Sequence, residues 1–318
     1  MSPMDSSHLT EKSVSLITGC SSGFGRLIAE TLARKGYYVF ATMRDVNNRN
    51  ANVADKLRTL AERESLHLHV LELDVTDDDS VQRAVDDAIA RAGRVDILIN
   101  NAGYVLVGLT EACTLEQARD ILDTNFLGAV RMNRAILPHM RMRGSGLLIH
   151  ISSGGGRIAF PGLGLYSASK FALEALGEAY RYELAPEGID CVIVEPGAFP
   201  TAVFSKTEHA ADHFRESTYV SGDKIPQRMF ELLGSSRGDP QEVADCVLRI
   251  VEMSAGNRPL RVRVGSHEDA FKRLNDYSDQ LQTEYQEALG IAQLMTFQAR
   301  RPTPSTDPVN DITQNIIQ

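Results

Sequence analysis

A short apolar run, Val14-Ser15-Leu16-Ile17, passes directly into Thr18-Gly19-Cys20-Ser21-Ser22-Gly23-Phe24-Gly25, and helical periodicity resumes from Leu27 to Arg34. A strand, a glycine turn and a helix in immediate succession form the opening unit of an alternating α/β fold and a ready cradle for phosphate. Gly19 permits the tight turn and Gly23 lets the backbone approach a pyrophosphate. Gly25 lets helix and strand pack closely, while the helix N-terminus faces negative charge. Ser21, Ser22 and Phe24 complete the expected nucleotide contacts. The spacing is T-G-x-x-x-G-x-G rather than G-x-G-x-x-G. A glycine turn with no ligand is the bland alternative, and the flanking strand and helix weigh against it.

The alternation continues. Apolar runs at Tyr37 to Thr42, His67 to Leu73, Val95 to Ile99, Leu147 to Ile151, Cys191 to Glu195 and Leu260 to Val264 read as strands, the fourth nearly all apolar as in a buried parallel sheet. Helical patterns separate them over Asn52 to Arg63, Val81 to Ala92, Leu115 to Arg141, the stretch ending at Pro186 and Gly188, and Val243 to Met253 after Asp239-Pro240. Seven strands interleaved with helices predict a Rossmann-type doubly wound, seven-stranded parallel sheet with helices on both faces. The expected organisation is a polar tail over 1–11 and a single domain over 12–265, with a substrate lid at about 202–237 where periodicity fades. A helical extension over 266–296 follows, then a flexible tail over 297–318 containing Pro302, Pro304 and Pro308.

Composition narrows the partners. The 318 residues are 43% hydrophobic, ample for one large core, and 33 basic against 42 acidic residues give a net charge of -9 with no Lys/Arg run. Nucleic acid and anionic membrane are poor partners for such a surface. Cys20, Cys113, Cys191 and Cys246 are scattered, so neither a metal site nor a disulfide framework is expected, and a reduced cytoplasmic setting fits. The polar start of the chain resembles no signal peptide and no apolar run reaches membrane-spanning length, so a soluble protein is expected.

The chemistry concentrates at Tyr166-Ser167-Ala168-Ser169-Lys170. Residues four apart on a helix share a face, so phenol and ammonium reach the same cleft, while Leu173, Leu176 and Ala179 are expected to pack the other side. A free phenol titrates at about 10, and a nearby cation favours the phenolate, suiting Tyr166 to general acid/base work. A packed ring beside a solvated charge is the alternative. Ser153 lies thirteen residues before Tyr166, in the Ser152-Ser153-Gly154-Gly155-Gly156 exit of a strand, close enough to bring hydroxyl and phenol together. Asn125 sits beside Phe126 and Leu127 and can equally serve the backbone alone.

Four other stretches point to a dinucleotide. After the second strand, a neutral Met43 followed by Arg44 supplies a cation for a 2'-phosphate, favouring NADP(H) over NAD(H), with Asp45 pulling the other way. Asp74-Val75 offers a carboxylate to an adenine amino group, or a cap to the helix starting near Asp77. Asn101, Ala102 and Gly103, after Asn100, let backbone pass under the cofactor. In Pro196-Gly197-Ala198-Phe199-Pro200-Thr201, Phe199 can cover a nicotinamide face and Thr201 can bond its amide.

Taken in order, these motifs resemble the short-chain dehydrogenase/reductase family over roughly Lys12 to Gly265: T-G-x-x-x-G-x-G, N-N-A-G, the serine, Y-x-x-x-K and P-G-x-x-x-T all fall in place. The resemblance implies that Tyr166 is the general acid/base, that Ser153 bonds the substrate oxygen, and that Lys170 holds the nicotinamide ribose and lowers the tyrosine pKa. It implies that Asn125 seats a relay water, and that the chain pairs as a homodimer or homotetramer through the helices holding Asn125 and Tyr166. The expected activity is NADP(H)-dependent interconversion of a ketone or aldehyde and an alcohol, a small-molecule carbonyl reductase. The runs Ala41 to Asp45 and Glu195 to Phe199 are similar to the branch holding 17β-hydroxysteroid and retinol dehydrogenases. Tyr104, Val105, Leu106, Leu163, Phe199 and Phe204 would then face a lipophilic substrate, or simply pack a core. The rival readings are an NADPH-binding sensor with little turnover and an NAD-dependent alcohol dehydrogenase.

Overall fold

The computed structural model describes residues 13–201, 207–235, 237–265 and 268–298. The expected N-terminal tail, Phe204 and the tail beyond residue 298 lie outside these. In chain order the elements are β1 (Val14–Ile17), α1 (Gly23–Arg34), β2 (Tyr38–Met43), α2 (Ala51–Glu64), β3 (Leu68–Glu72), α3 (Asp78–Ala92) and β4 (Ile97–Asn100). Next come β5 (Leu106–Val107), α4 (Leu115–Leu122), α5 (Gly128–Arg143), β6 (Gly146–Ile151), α6 (Gly164–Glu183) and β7 (Ile189–Pro196). The last third adds β8 (Glu208–His209), α7 (His213–Thr218), α8 (Lys224–Gly234), α9 (Gln241–Glu252), β9 (Arg261–Val264) and α10 (Glu268–Ala288).

Seven strands form one sheet in the order β3-β2-β1-β4-β6-β7-β9, every neighbouring pair parallel. Successive side chains of a strand point to opposite faces, and the core obeys that period. Ile97, Ile99, Leu147 and Ile149 join α1, α2 and α9 on one face, while Leu98 and Leu148 join α3 and α5 on the other. Strand order reverses between β1 and β4, and ligands of doubly wound sheets bind beyond the strand ends at such a point.

Local chemistry sets the element ends. Asp77 caps α3 by accepting from Ser80 N at 2.7 Å, and Asp78 and Asp79 face its dipole. Asp74, the alternative cap, instead accepts from Thr76 N and Thr76 Oγ1 at 2.9 and 2.7 Å. The expected helix from Leu115 to Arg141 is two helices, because Asp123–Leu127 makes a wider π turn between α4 and α5.

Two expectations need correcting. On α6 the buried residues are Ser167, Ser169, Lys170, Leu173, Glu174 and Gly177, while Ala179 is exposed and Leu176 only half-buried. Of the expected apolar side only Leu173 packs inward, and it does so among the polar residues Ser167, Ser169, Lys170 and Glu174. The lid region holds regular structure: α7, α8, and β8, which pairs with β5 in a separate two-stranded parallel sheet. Its polar, interrupted sequence hides these short elements from periodicity. Among the described residues no helix is long and apolar enough to cross a membrane.

Candidate active site

A cleft of about 1000 Å³ opens over the reversal point at the C-terminal ends of the strands. The glycine turn forms one end. Gly19 has φ +73°, in the left-handed region that favours glycine, and a Cβ there would lie 2.8 Å from Ala102 Cα. A Cβ on Gly25 would meet Gly19 O at 2.6 Å, so helix and turn touch. Thr18 Oγ1 accepts from Asn101 N and Ala102 N, both at 2.9 Å, and Asn101 Nδ2 donates to Thr18 O at 2.8 Å. Asn101 therefore staples the exit of β1 to the exit of β4. Unlike α3, α1 carries no acidic residue in its first turn, and the Ser22 side chain makes no capping bond. A positive helix end without its own carboxylate fits a phosphate group.

Beyond β2 the cleft sets two arginines beside two carboxylates, Asp45 and Asp74. Arg44, its side chain 55% exposed, stands 3.7 Å from Asp74 Oδ2, and Arg49 lines the same wall. Met43 is buried. Asp45, Asn50, Val75 and Thr76 complete this pocket, and Asn50 Nδ2 ties Arg44 O at 2.7 Å.

Tyr166, Ser153 and Lys170 all line the cleft, and the Tyr166 and Ser153 hydroxyls hydrogen-bond to each other. Burial pushes the Tyr166 phenol up, and a hydrogen bond with Ser153 pulls it partly down. The phenol is therefore not drawn toward neutrality, as the Tyr-Lys spacing suggests. Lys170 Nζ donates to Ile151 O at 2.9 Å, and burial lowers its pKa to about 8. Ser153 Oγ also accepts from Gly155 N at 3.0 Å, fixing its rotamer.

Asn125 occupies the π turn and is buried behind the cleft. It accepts from Tyr104 N and donates to Tyr104 O, both at 3.0 Å, and donates to Ser169 Oγ at 3.0 Å. A Cβ on Gly103 would sit 2.8 Å from Asn125 Oδ1 and 3.7 Å from Lys170 Nζ, so the three groups are neighbours.

Gly19, Ser21, Ser22, Gly23, Phe24, Arg44, Asp74, Val75, Asn101, Ala102, Gly103, Pro196, Gly197, Phe199 and Thr201 all line the cleft, whereas Gly25 and Asn125 stand behind it. Phe199 reaches the wall mainly from inside the core, its ring edge-on to Phe24 with centroids 5.7 Å apart. Tyr104, Val105 and Leu163 line it too, but Leu106 is buried in β5 and does not. Sequence reasoning missed Phe160, Arg263, Phe271 and the α8 residues Met229, Leu232 and Leu233. No motif marks them; the apolar spacing of α8 was the only available signal.

Residues 13–212 match the family model of short chain dehydrogenases. The chain is 34% identical to a 3-ketodihydrosphingosine reductase of Bacteroides thetaiotaomicron over 250 residues, 79% of this chain and 87% of the relative. It is 36% identical to the 17-beta-hydroxysteroid dehydrogenase type 1 of Homo sapiens, over 74% of this chain and 73% of the relative. The crystal structure of an alcohol dehydrogenase from the archaeon Thermococcus sibiricus, complexed with 5-hydroxy-NADP, is 25% identical with a TM-score of 0.64, covering 81% of this chain and 98% of that one. With this match over most of the sheet and relatives of this identity and coverage, the chain belongs to the short-chain dehydrogenase family of oxidoreductases.

Proposed function

We propose that this protein is an NADP(H)-dependent oxidoreductase that interconverts a lipophilic ketone or aldehyde and its alcohol, with Tyr166 as general acid/base. One observation carries the reading: Tyr166, hydrogen-bonded to Ser153, lines the same cleft as Lys170 and the glycine turn. The bound dinucleotide supplies or accepts the hydride. Tyr166 gives a proton to the substrate oxygen in reduction and takes it back in oxidation, and Ser153 holds that oxygen. A phenol pushed up by burial is protonated near neutrality, the form that carbonyl reduction needs. Lys170 faces the nicotinamide ribose and is charged below about pH 8. Asn125, bonded to both backbone groups of Tyr104, keeps the cleft edge in register beside it.

Arg44 and Arg49 around a neutral Met43 favour a 2'-phosphate, hence NADP(H) over NAD(H). Phe160, Leu163, Met229, Leu232, Leu233 and Phe271 make the substrate end apolar, in keeping with relatives named for a steroid and a sphingoid ketone. Exposed Leu115, Leu127 and Phe171 on α4, the π turn and α6 suit pairing of two copies through these elements. The four cysteines, none of them in a disulfide, suit a reducing cytoplasm.

The test is Tyr166→Phe: NADPH binding should persist while turnover falls by about two to four powers of ten. A variant with the wild-type rate ends the mechanism. Binding without consumption of NADPH across a panel of ketones, aldehydes and quinones would favour a sensor instead. For the cofactor, Arg44→Ala should lower kcat/KM for NADPH by roughly 10- to 100-fold, the worth of one hydrogen bond to a charged group, and leave NADH nearly unchanged. A wild-type preference for NADH would refute the Arg44 assignment.

A further inference from the structure

Behind the cleft, the α6 face of the sheet is polar where a core of this kind is ordinarily apolar. Asn100 on β4, His150 on β6, Glu195 on β7 and Arg261 on β9 are all buried there. Glu174 joins them from α6, 2% exposed and one helical turn beyond Lys170, which is itself 5% exposed. Arg261 Nε donates to Glu174 Oε2 at 3.0 Å, whereas Glu174 Oε1 has no hydrogen-bond partner among the described residues. A Cβ on Gly156 would meet Glu174 Cγ at 3.0 Å and Lys170 O at 3.1 Å, so the side chain is wedged against the loop that carries Ser153. Arg261 also bonds Glu178 and Asp279, the latter at 3.1 Å, and lies 3.7 Å from Glu195 Oε1. The carboxylate is thus held in place from β9 and α10.

A buried ammonium whose bonded acceptor is a neutral carbonyl has lost its hydration without gaining a counter-charge in contact. The nearest remedy is a fixed negative charge in the same low-dielectric interior. We propose that Glu174 is a positioning residue for Lys170, its buried carboxylate keeping the lysine charged and seated at the cleft wall. This rests on the reading of Lys170 as the cation that faces the cofactor.

The charges around the pair are these. Lys170 faces His150 from β6 and Glu174 from α6, with Tyr166 one turn before it on the same helix; burial and Lys170 hold His150 down to about 4, so it stays neutral. Glu174 faces Glu195 from β7 and Arg261 from β9, with Arg157 and Arg263 beside Glu195 and Asp279 of α10 beside Arg261. Burial lowers Lys170 to about 8 and Glu174 raises it; burial and Glu195 lift Glu174 to about 7. Between those values the carboxylate is charged and the ammonium still holds its proton. Removing the negative charge makes Lys170 release its proton at lower pH.

The experiment is NADPH binding as a function of pH, read by the fluorescence of the bound nicotinamide. Wild-type affinity should fall as pH rises through about 8. Glu174→Gln should move that midpoint down by roughly one unit, a tenfold change in proton affinity, and Glu174→Asp should restore part of it. Glu178→Gln, which also removes a partner of Arg261 but lies two turns from Lys170, should leave the midpoint in place. A folded Glu174→Gln protein with an unmoved midpoint overturns the proposal. If Lys170→Met leaves NADPH affinity unchanged at every pH, the reading of Lys170 itself has failed instead. Should Glu174→Gln not fold, the Lys170 side-chain carbon signal in isotope-labelled wild-type protein decides. A second inflection near pH 7 supports the coupling, and a single transition sinks it.

Discussion

Gly25 and Asn101 meet where the first and fourth strands leave the sheet. Because a Cβ on Gly25 would press on Gly19 O at 2.6 Å and on Asn101 Nδ2, Gly25→Ala forces backbone apart rather than a side-chain tip. Overpacking of this kind costs about 1–3 kcal/mol. At about 2–4 °C per kcal/mol for a chain of this order, the melting temperature should fall by several degrees, with weaker NADPH binding, measurable by thermal shift with and without cofactor. Cys20 sits in the same turn, yet its thiol is fully buried and burial pushes it up to about 12. Thiol reagents at pH 8 should therefore label the half-buried Cys113 well before Cys20, as mass spectrometry of the native protein would show.

At the scale of elements, the helix that carries Tyr166 is held by charge as much as by apolar packing. Arg261 joins α6, β7 and α10 through Glu174, Glu178, Glu195 and Asp279, and Asn275 of α10 donates to Glu195 Oε2 at 2.9 Å while accepting from Arg157 at 2.9 Å. The helix α10 is thereby tied to α6 and β7. Arg261→Met leaves the buried Glu174 without its bonded cation, a loss on the order of 3–5 kcal/mol. The midpoint of urea unfolding should drop accordingly, and acidification toward pH 5 should recover part of the loss. The sign follows from Glu174: its folded pKa is raised from 4.5 to about 7, so its ionisation costs no stability below the unfolded value, and the cost accumulates as pH rises toward 7 and levels off above it. Equal losses for Arg261→Met at pH 5 and pH 8 would contradict this account.

For the whole molecule, one continuous cleft joins the glycine turn, α6 and α8, so a dinucleotide bound along it would bridge elements from both halves of the sheet. NADPH at about 100 times its Kd should add about 2.7 kcal/mol of apparent stability. NADH at equal concentration should add clearly less, and equal shifts would deny the 2'-phosphate a role. Much of this plan is legible from local pattern. Short apolar runs mark the seven strands, glycine spacing marks the phosphate turn, and four-residue spacing puts Tyr166 and Lys170 on one face, because each signal lies within a few consecutive residues. Only the tertiary structure decides that α6 buries its polar side, that Asn125 occupies a π turn, and that Lys170 shares its interior with Glu174, Arg261 and Glu195. Hydrophobic periodicity equates apolar with buried. A face built from ion pairs between residues tens of positions apart breaks that rule, since each charge is tolerable only once its distant partner has arrived.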